Sequence, residues 1–230
     1  NILIIAEKPT AAKKIAYSLF QNPKVVKIGN VKYFVFRDFS NTYFVASSIG
    51  HLFTLKPLSN SFTYPIFDAE WQLKDGKEYE KYSKIIKMLA SNCSQIIIAT
   101  DYDIEGHVIG FNIWRFLCNQ KPVKRMKFST LTSQELRQAF KNLIEININE
   151  VNAGLTRHYL DWIWGINLSR ALMQAARKFG IRDVLSIGRV QGPTLKLIYE
   201  REKEIENFVP KVFYVLRLYA EINGKILKFE

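Results

Sequence analysis

Cysteines and long apolar runs are both scarce in this 230-residue sequence. The two cysteines, Cys93 and Cys118, are far apart and have neither metal-ligand nor CxxC spacing, which argues against a disulfide scaffold and favours a reduced, intracellular setting. No apolar run approaches the roughly 20 residues that cross a bilayer, and no signal-peptide pattern is present. We therefore expect no membrane partner. An apolar fraction of 48% argues against a mainly disordered chain.

Acidic residues are outnumbered by basic ones, with 21 Asp and Glu against 33 Lys and Arg, so the formal net charge is +12. A basic excess suits a polyanionic partner, because each neutralised phosphate releases counterions. Between residues 151 and 192, five of the six basic residues are arginines, whose planar guanidinium suits phosphate. We predict a nucleic-acid partner; the alternative is a surface that merely carries many lysines.

Two strand-like segments end in charged residues. Ile2–Ala6 is continuously apolar, as a strand buried on both faces of a parallel sheet should be. Glu7 and Lys8 follow, and Pro9 is placed to begin a helix. Gln95–Thr100 is a second such strand. This alternation predicts an α/β fold with a parallel sheet flanked by helices.

The remaining elements change character along the chain. Short strands are predicted between residues 25 and 48, and Thr132–Glu135 has the capping-box pattern of a helix start that continues through Leu143 and Ile144. Helical patterns then run to Lys178, and another helix is predicted from about residue 193. Val212–Tyr219 has the pattern of a strand.

These patterns divide the chain into three parts. We predict an α/β domain over residues 1–148, a mostly helical domain over 149–208, and the start of a β-rich domain over 209–230. The sequence begins with Asn1 rather than Met and stops inside a strand-like run, so we expect a piece of a longer protein.

Carboxylates follow both buried strands. Ligands bind at the carboxyl ends of strands in open α/β sheets, so Glu7 is expected close to Asp101 and Asp103. Glu105 can fold back where the next helix begins. Clustered carboxylates repel one another unless a cation intervenes, and oxygen ligands favour Mg²⁺ over Zn²⁺. The alternative for Asp101–Gly106 is a solvated turn with a helix N-cap. The metal site is favoured because the other buried strand is also followed by an acid, Glu7.

Five ordered motifs carry a family resemblance. They are Ile5–Pro9, Ser48–Leu52, Asp101–Gly106, Arg157–Asp161 and Ile187–Gln191. With them the sequence resembles the type IA DNA topoisomerases, in the topoisomerase I/III branch. The resemblance implies a Rossmann-like toprim domain followed by a helical DNA-binding domain. His107 departs from the pattern, since many relatives have an acid there; we expect it to change the local field without abolishing metal binding.

The resemblance implies a reaction and the residues that carry it. The reaction is Mg²⁺-dependent, ATP-independent relaxation of negatively supercoiled DNA through a transient 5′-phosphotyrosine, strand passage and religation. Glu7 would be the general acid that protonates the leaving 3′ oxygen, since neighbouring carboxylates favour its protonated form. Lys8 would stabilise charge on the phosphate. Asp101 and Asp103 would hold Mg²⁺, with Glu105 as a third or water-mediated ligand.

The resemblance also implies a strand-binding set, whose members are Arg157, Asp161, Arg189 and Gln191. For the first two, four residues apart on a helix, the alternative is an ordinary ion pair. His51, in the Ser48–Leu52 loop, is a candidate for the active cleft; a structural histidine bonded to backbone is the alternative.

The nucleophile is not recognisable in the sequence. The family's tyrosine stands in a Tyr-x-Arg-Thr-like context, which none of the 11 tyrosines has. We therefore expect it beyond residue 230, so that this chain binds Mg²⁺ and single-stranded DNA without cleaving. We expect a cytoplasmic, nucleoid-associated monomer, with a helicase partner left open. A toprim nuclease or primase and a non-catalytic single-strand-binding protein are the alternatives.

Overall fold

A computed structural model describes residues 1–59 and 62–229. Contacts divide the chain into two units, Asn1–Ser186 and Ile187–Glu230. The domain bounds inferred from the sequence, at residues 148 and 208, stay predictions. Among the described residues, no helix is both long and apolar enough to cross a membrane.

The strands of the first unit are β1 (Ile2–Ala6), β2 (Lys24–Ile28), β3 (Val31–Arg37), β4 (Thr42–Ser47), β5 (Phe53–Pro57), β6 (Ala69–Leu73), β7 (Gln95–Ala99) and β8 (Val123–Arg125). Six of them form one sheet with the order β2-β3-β4-β1-β7-β8. The pairs β4–β1, β1–β7 and β7–β8 are parallel, whereas β2–β3 and β3–β4 are antiparallel. Strands β5 and β6 form a separate antiparallel pair. The predicted α/β fold with a parallel sheet is confirmed.

Helices cover both faces of the large sheet. They are α1 (Pro9–Leu19), α2 (Lys77–Ser91), α3 (Ile104–Leu117) and α4 (Ser133–Lys141), and a fifth helix, α5 (Ile148–Arg177), packs against α3. Leu3 and Ile5 of β1 belong to one buried cluster with residues of α2 and α3. Ile4 and Ala6 belong to a second cluster with residues of α1 and α4. Alternate side chains of a strand point to opposite faces, so a strand covered on both faces must be apolar throughout.

Helix α4 departs in two ways from its predicted capping box. Thr132 is the N-cap residue, but its side chain makes no capping hydrogen bond. The carboxylate of Glu135 instead accepts hydrogen bonds from the backbone N–H groups of Ser129 and Thr130. The helix ends at Lys141, so Leu143 and Ile144 lie beyond it. The reason is a sheet contact, because Ile144 exchanges backbone hydrogen bonds of 2.8 and 3.0 Å with Arg125.

The second unit contains one helix and one hairpin. They consist of α6 (Gln191–Glu206), β9 (Leu218–Ile222) and β10 (Lys225–Phe229). The predicted strand over 212–219 is wrong, because the strand starts at Leu218. Asn223 and Gly224 both have positive φ, as the central residues of a tight hairpin turn require, and this turn sets the pairing to 218–222. Helix α6 begins two residues before the predicted start at residue 193.

Candidate metal and nucleic-acid site

Two neighbouring strands bring their acidic ends to one edge of the sheet. Strands β1 and β7 are parallel and in register, with Ala6 opposite Ala99. Glu7 therefore leaves β1 at the edge where Thr100 and Asp101 leave β7. The sequence-based expectation that residues nearly 100 positions apart meet at one edge agrees with this topology.

The electrostatics of Asp101 show that these acids influence one another. Burial is the main cause that raises the pKa of Asp101 above its ordinary value of 3.8, and the charges of Glu7 and Asp103 raise it further. Lys8 and Arg125 act in the opposite direction without reversing the shift. Burial and the neighbouring carboxylates both disfavour the charged form of Asp101, which favours a bound proton or an added cation beside it.

Lys8 contacts the most buried of the acids. Its Nζ lies 3.0 Å from Oε1 of Glu7, whose side chain is 11% exposed while that of Lys8 is 60% exposed. The hydrogen bond to Glu7 is the main cause that raises the pKa of Lys8. A fixed positive charge thus stands on the solvent side of a buried carboxyl, where it can meet an incoming phosphate.

The turn that carries Asp101 and Asp103 is tightly built. Asp103 is the N-cap of α3, and its Oδ1 accepts a hydrogen bond of 2.6 Å from the Gly106 N–H. The N-cap alternative is therefore realised for Asp103, and it orients the carboxylate. A Cβ on Gly106 would lie 2.0 Å from the carbonyl oxygen of Asp101, so only glycine fits there.

The turn is supported by a buried residue, Arg125. Sequence reasoning did not identify it. Its side chain is buried at the end of β8 and donates hydrogen bonds of 2.7 Å to the Thr100 hydroxyl and to the Asp101 carbonyl. Thr100 in turn donates to the Gly106 carbonyl at 2.6 Å. Burial lowers the pKa of Arg125 to about 10. No local pattern reveals this role, because Val123–Lys127 has the composition of an exposed basic edge.

Glu105 is held by two histidines. Nε2 of His51 lies 2.8 Å and Nε2 of His158 lies 2.9 Å from the same oxygen, Oε2 of Glu105. Burial raises the pKa of Glu105, but the hydrogen bonds from His158 and His51 outweigh it, so the pKa lies below its ordinary value. Burial lowers the pKa of His51 despite this bond. His51 therefore contacts the acid motif through its ring, and the role of Glu105 as a magnesium ligand stays a prediction.

His107 lies between α3 and α5 rather than among the acids. It is buried, and its Nε2 is 2.6 Å from Oε2 of Glu150. The ring of Tyr102 packs edge-on against it, with 4.8 Å between centroids. Burial is the main cause that lowers the pKa of His107. The departure from the family pattern thus places a histidine in a helix–helix contact.

The predicted strand-binding residues are divided between the two units. In the first unit, Arg157 and Asp161 on α5 form the ion pair that was the alternative, with Nε and Oδ2 3.8 Å apart. Arg157 also approaches Oε1 of Glu105 to 3.8 Å, so it borders the acid motif as well. Arg189 and Gln191 belong to the second unit, where Gln191 begins α6.

Two family models match the chain. The toprim domain model matches residues 2–131, more than half of the chain, and the DNA topoisomerase model matches residues 145–229.

The chain belongs to the type IA DNA topoisomerase family.

Relatives of this topoisomerase chain are longer than it is. DNA topoisomerase 1 of Pyrococcus horikoshii is 48% identical over 97% of this chain and 34% of that protein. DNA topoisomerase 1 of Methanocaldococcus jannaschii is 44% identical over 98% of this chain and 30% of that protein. The structure of full-length topoisomerase I from Thermotoga maritima covers 98% of this chain with a TM-score of 0.66 and 31% identity, and the chain covers 34% of it. The chain therefore spans about a third of these relatives' length.

Toprim is a metal-binding fold, and the acid edge of this chain carries the donor type that a hard divalent cation prefers. Glu7, Asp101 and Asp103 offer only carboxylate oxygens, the ligand type that Mg²⁺ prefers. The pKa of Asp101 is raised mainly by burial and further by Glu7 and Asp103, and a bound cation would favour its charged form.

Proposed function

We propose that this chain is the part of a type IA DNA topoisomerase that holds Mg²⁺ and one DNA strand at the point of cleavage. The observation that carries the proposal is the meeting of Glu7 and Lys8 with Asp101 and Asp103 at the ends of adjacent parallel strands. Bound there, Mg²⁺ would neutralise charge on the scissile phosphate. The substrate is negatively supercoiled DNA with a single-stranded segment, and the outcome is its relaxation.

The residues of this chain support a transesterification. A tyrosine hydroxyl gives its proton to water and its oxygen forms a bond to phosphorus, while the bond from phosphorus to the 3′ oxygen breaks. Glu7 gives its proton to that leaving oxygen and takes it back during religation. Lys8 stabilises the phosphate charge during both steps. Because one phosphodiester bond is exchanged for another, no ATP is consumed.

The proposed strand path uses the basic helical region. Arg157 and Asp161 are half-exposed beside the acid motif. In the second unit we assign Arg189 and Gln191 to DNA binding as well. The formal charge of +12 supports a polyanionic partner. We further propose a DNA-bound monomer in the cytoplasm, associated with the nucleoid.

The chain alone is expected to bind single-stranded DNA without breaking it. None of its tyrosines stands in the family's nucleophile context, so no phosphotyrosine can form. Fluorescence anisotropy should show binding of a labelled single-stranded oligonucleotide that weakens as salt rises. Incubation with negatively supercoiled plasmid and Mg²⁺ should leave the plasmid supercoiled.

The same incubation separates the competing functions. Relaxation with a covalent protein–DNA adduct would place the nucleophile inside this chain and contradict the assignment. Metal-dependent nicking without an adduct would identify a toprim nuclease. An EDTA-treated sample is the matched control, because it keeps the DNA and the protein and removes only the cation.

A further inference from the structure

A second cluster of metal-ligating side chains lies beside the acid edge. Its members come from three separate segments: His51 from the loop between β4 and β5, Glu105 from the first turn of α3, and His158 from α5. One nitrogen from each histidine and one oxygen of Glu105 lie within 4.8 Å of one another. The chain has only three histidines, and two of them meet here.

The donor set differs in kind from that of the acid edge. Two imidazoles and one carboxylate favour first-row transition metals, whereas Mg²⁺ prefers oxygen ligands alone. Three protein ligands also leave a position for water, as in open zinc sites.

The two nitrogen–oxygen distances of the cluster are close to those between ligands that share one ion. The two N–O distances are 2.8 and 2.9 Å. Ligands bound at about 2.0–2.1 Å to a tetrahedral ion lie about 3.3 Å apart, so each nitrogen must move by only about 0.5 Å from Oε2. Each neutral ring would bind through Nε2 and carry its proton on Nδ1, which is a tautomer change without net proton release.

The surroundings restrain the three ligands. Arg157 approaches Oε1 of Glu105, and the histidines contact Oε2, so the carboxylate presents a single oxygen to them. The rings of His51 and His158 pack together at 5.0 Å between centroids, and Trp71 packs edge-on against His158 at 5.6 Å. Ligands held by such packing lose less freedom when an ion binds.

We propose that His51, Glu105 and His158 bind one first-row transition-metal ion, represented by Zn²⁺, at a site that shares only Glu105 with the predicted magnesium ligands. Glu105 belongs to the Asp-x-Asp-x-Glu motif. If it bound the transition-metal ion, it would not bind Mg²⁺ together with the neighbouring acids. That consequence rests on the proposed function, whereas Zn²⁺ binding itself does not.

Zn²⁺ binding to the 230-residue chain is measured by competition with a chromophoric chelator. We expect one ion per chain, and an affinity at least about 100-fold lower in His158→Gln, because a direct ligand matters no less than its supporting residues. His51→Gln should lower the Zn²⁺ affinity to a similar extent. Because His51 lies in a loop and His158 in a helix, this variant still tests the site if His158→Gln fails to fold. Circular dichroism checks the folding of each variant.

Two controls separate this site from other sites. His107→Gln removes the third histidine, which faces Glu150, and should leave Zn²⁺ affinity unchanged. Asp103→Asn should weaken Mg²⁺ binding and leave Zn²⁺ binding intact; this outcome distinguishes the present proposal from failure of the proposed function.

The proposal is overturned if Zn²⁺ does not bind stoichiometrically, or if both His51→Gln and His158→Gln bind it as tightly as the parent chain. The visible spectrum of the Co²⁺-substituted protein gives an independent readout. Absorption from nitrogen and oxygen ligands alone supports the site. An intense thiolate charge-transfer band would instead place the ion at Cys93 or Cys118, and it would refute the assignment.

Discussion

Replacing Glu7 by glutamine is expected to slow DNA cleavage by about 100- to 10,000-fold, the usual contribution of a general acid. Glutamine keeps the shape of the side chain, but it has no acidic proton to give to the leaving 3′ oxygen. The site is buried at Glu7, so water cannot easily take over the transfer. The measurement is single-turnover cleavage of a labelled single strand.

The cleavage assay needs a protein that supplies the nucleophile. A suitable one is a chimera in which this chain replaces the matching third of the Pyrococcus horikoshii relative, with the unmodified chimera as the reference. Glu78→Gln is the matched control, because Glu78 is an exposed acid in the first turn of α2 and should leave the rate unchanged. Single-strand binding should also survive in Glu7→Gln.

The companion variant Asp103→Asn distinguishes the proposed enzyme from a binding protein. Loss of relaxation with retained DNA binding is expected, because one of the proposed magnesium ligands is removed. If Asp103→Asn and Glu7→Gln both relaxed DNA at the parental rate, the acid edge would not be the reaction centre. If only Glu7→Gln did so, Glu7 would not be the acid.

Gly106→Ala is expected to destabilise the first unit by about 3 kcal/mol, which is the upper part of the range for overpacking. This loss of stability is opposite to the effect expected from helix propensity. Gly106 lies within α3, and alanine in place of glycine normally stabilises a helix by about 1 kcal/mol. The added Cβ would stand 2.0 Å from the Asp101 carbonyl oxygen. That carbonyl cannot retreat freely, because Arg125 donates a hydrogen bond to it.

Urea unfolding followed by tryptophan fluorescence measures this loss. Gly188→Ala in the second unit is the control for a glycine-to-alanine change without a clash, because the nearest atom to its new Cβ is 3.9 Å away in Gln191. Magnesium affinity should fall together with stability in Gly106→Ala, since the same turn carries Asp101 and Asp103. Equal stability of Gly106→Ala and the parent chain would contradict the tight turn described above.

The strands that form the acid edge could be predicted because their signal is local. Ile2–Ala6 is apolar at every position and Gln95–Ala99 at every position after the first, as a strand covered on both faces requires. Once both strands were placed in one parallel sheet, the general rule about their carboxyl ends brought Glu7 towards Asp101. This prediction required no knowledge of contacts between residues that are distant in the sequence.

The supporting residues could not be predicted because their roles arise from tertiary packing. Arg125 is buried where its guanidinium donates hydrogen bonds to the carbonyl of Asp101 and to the hydroxyl of Thr100. His158 lies inside the recognised Arg157–Asp161 motif, yet its contact with Glu105 depends on how α5 packs against α3. A capping box or a strand start can likewise be displaced by a nearby contact, as Glu135 and Leu218 show.

Carbon NMR titration of the Asp101 carboxyl tests most directly whether Glu7 and Asp101 share one site. We expect its pKa to lie above 3.8, to fall towards that value in Glu7→Gln, and to fall again when Mg²⁺ is added. The folded protein holds this proton more tightly than the unfolded chain, so stability from Asp101 decreases as pH rises through the pKa, and Mg²⁺ counteracts that loss. An Asp101 titration that is identical in the parent chain and in Glu7→Gln, and insensitive to Mg²⁺, would contradict a shared metal site.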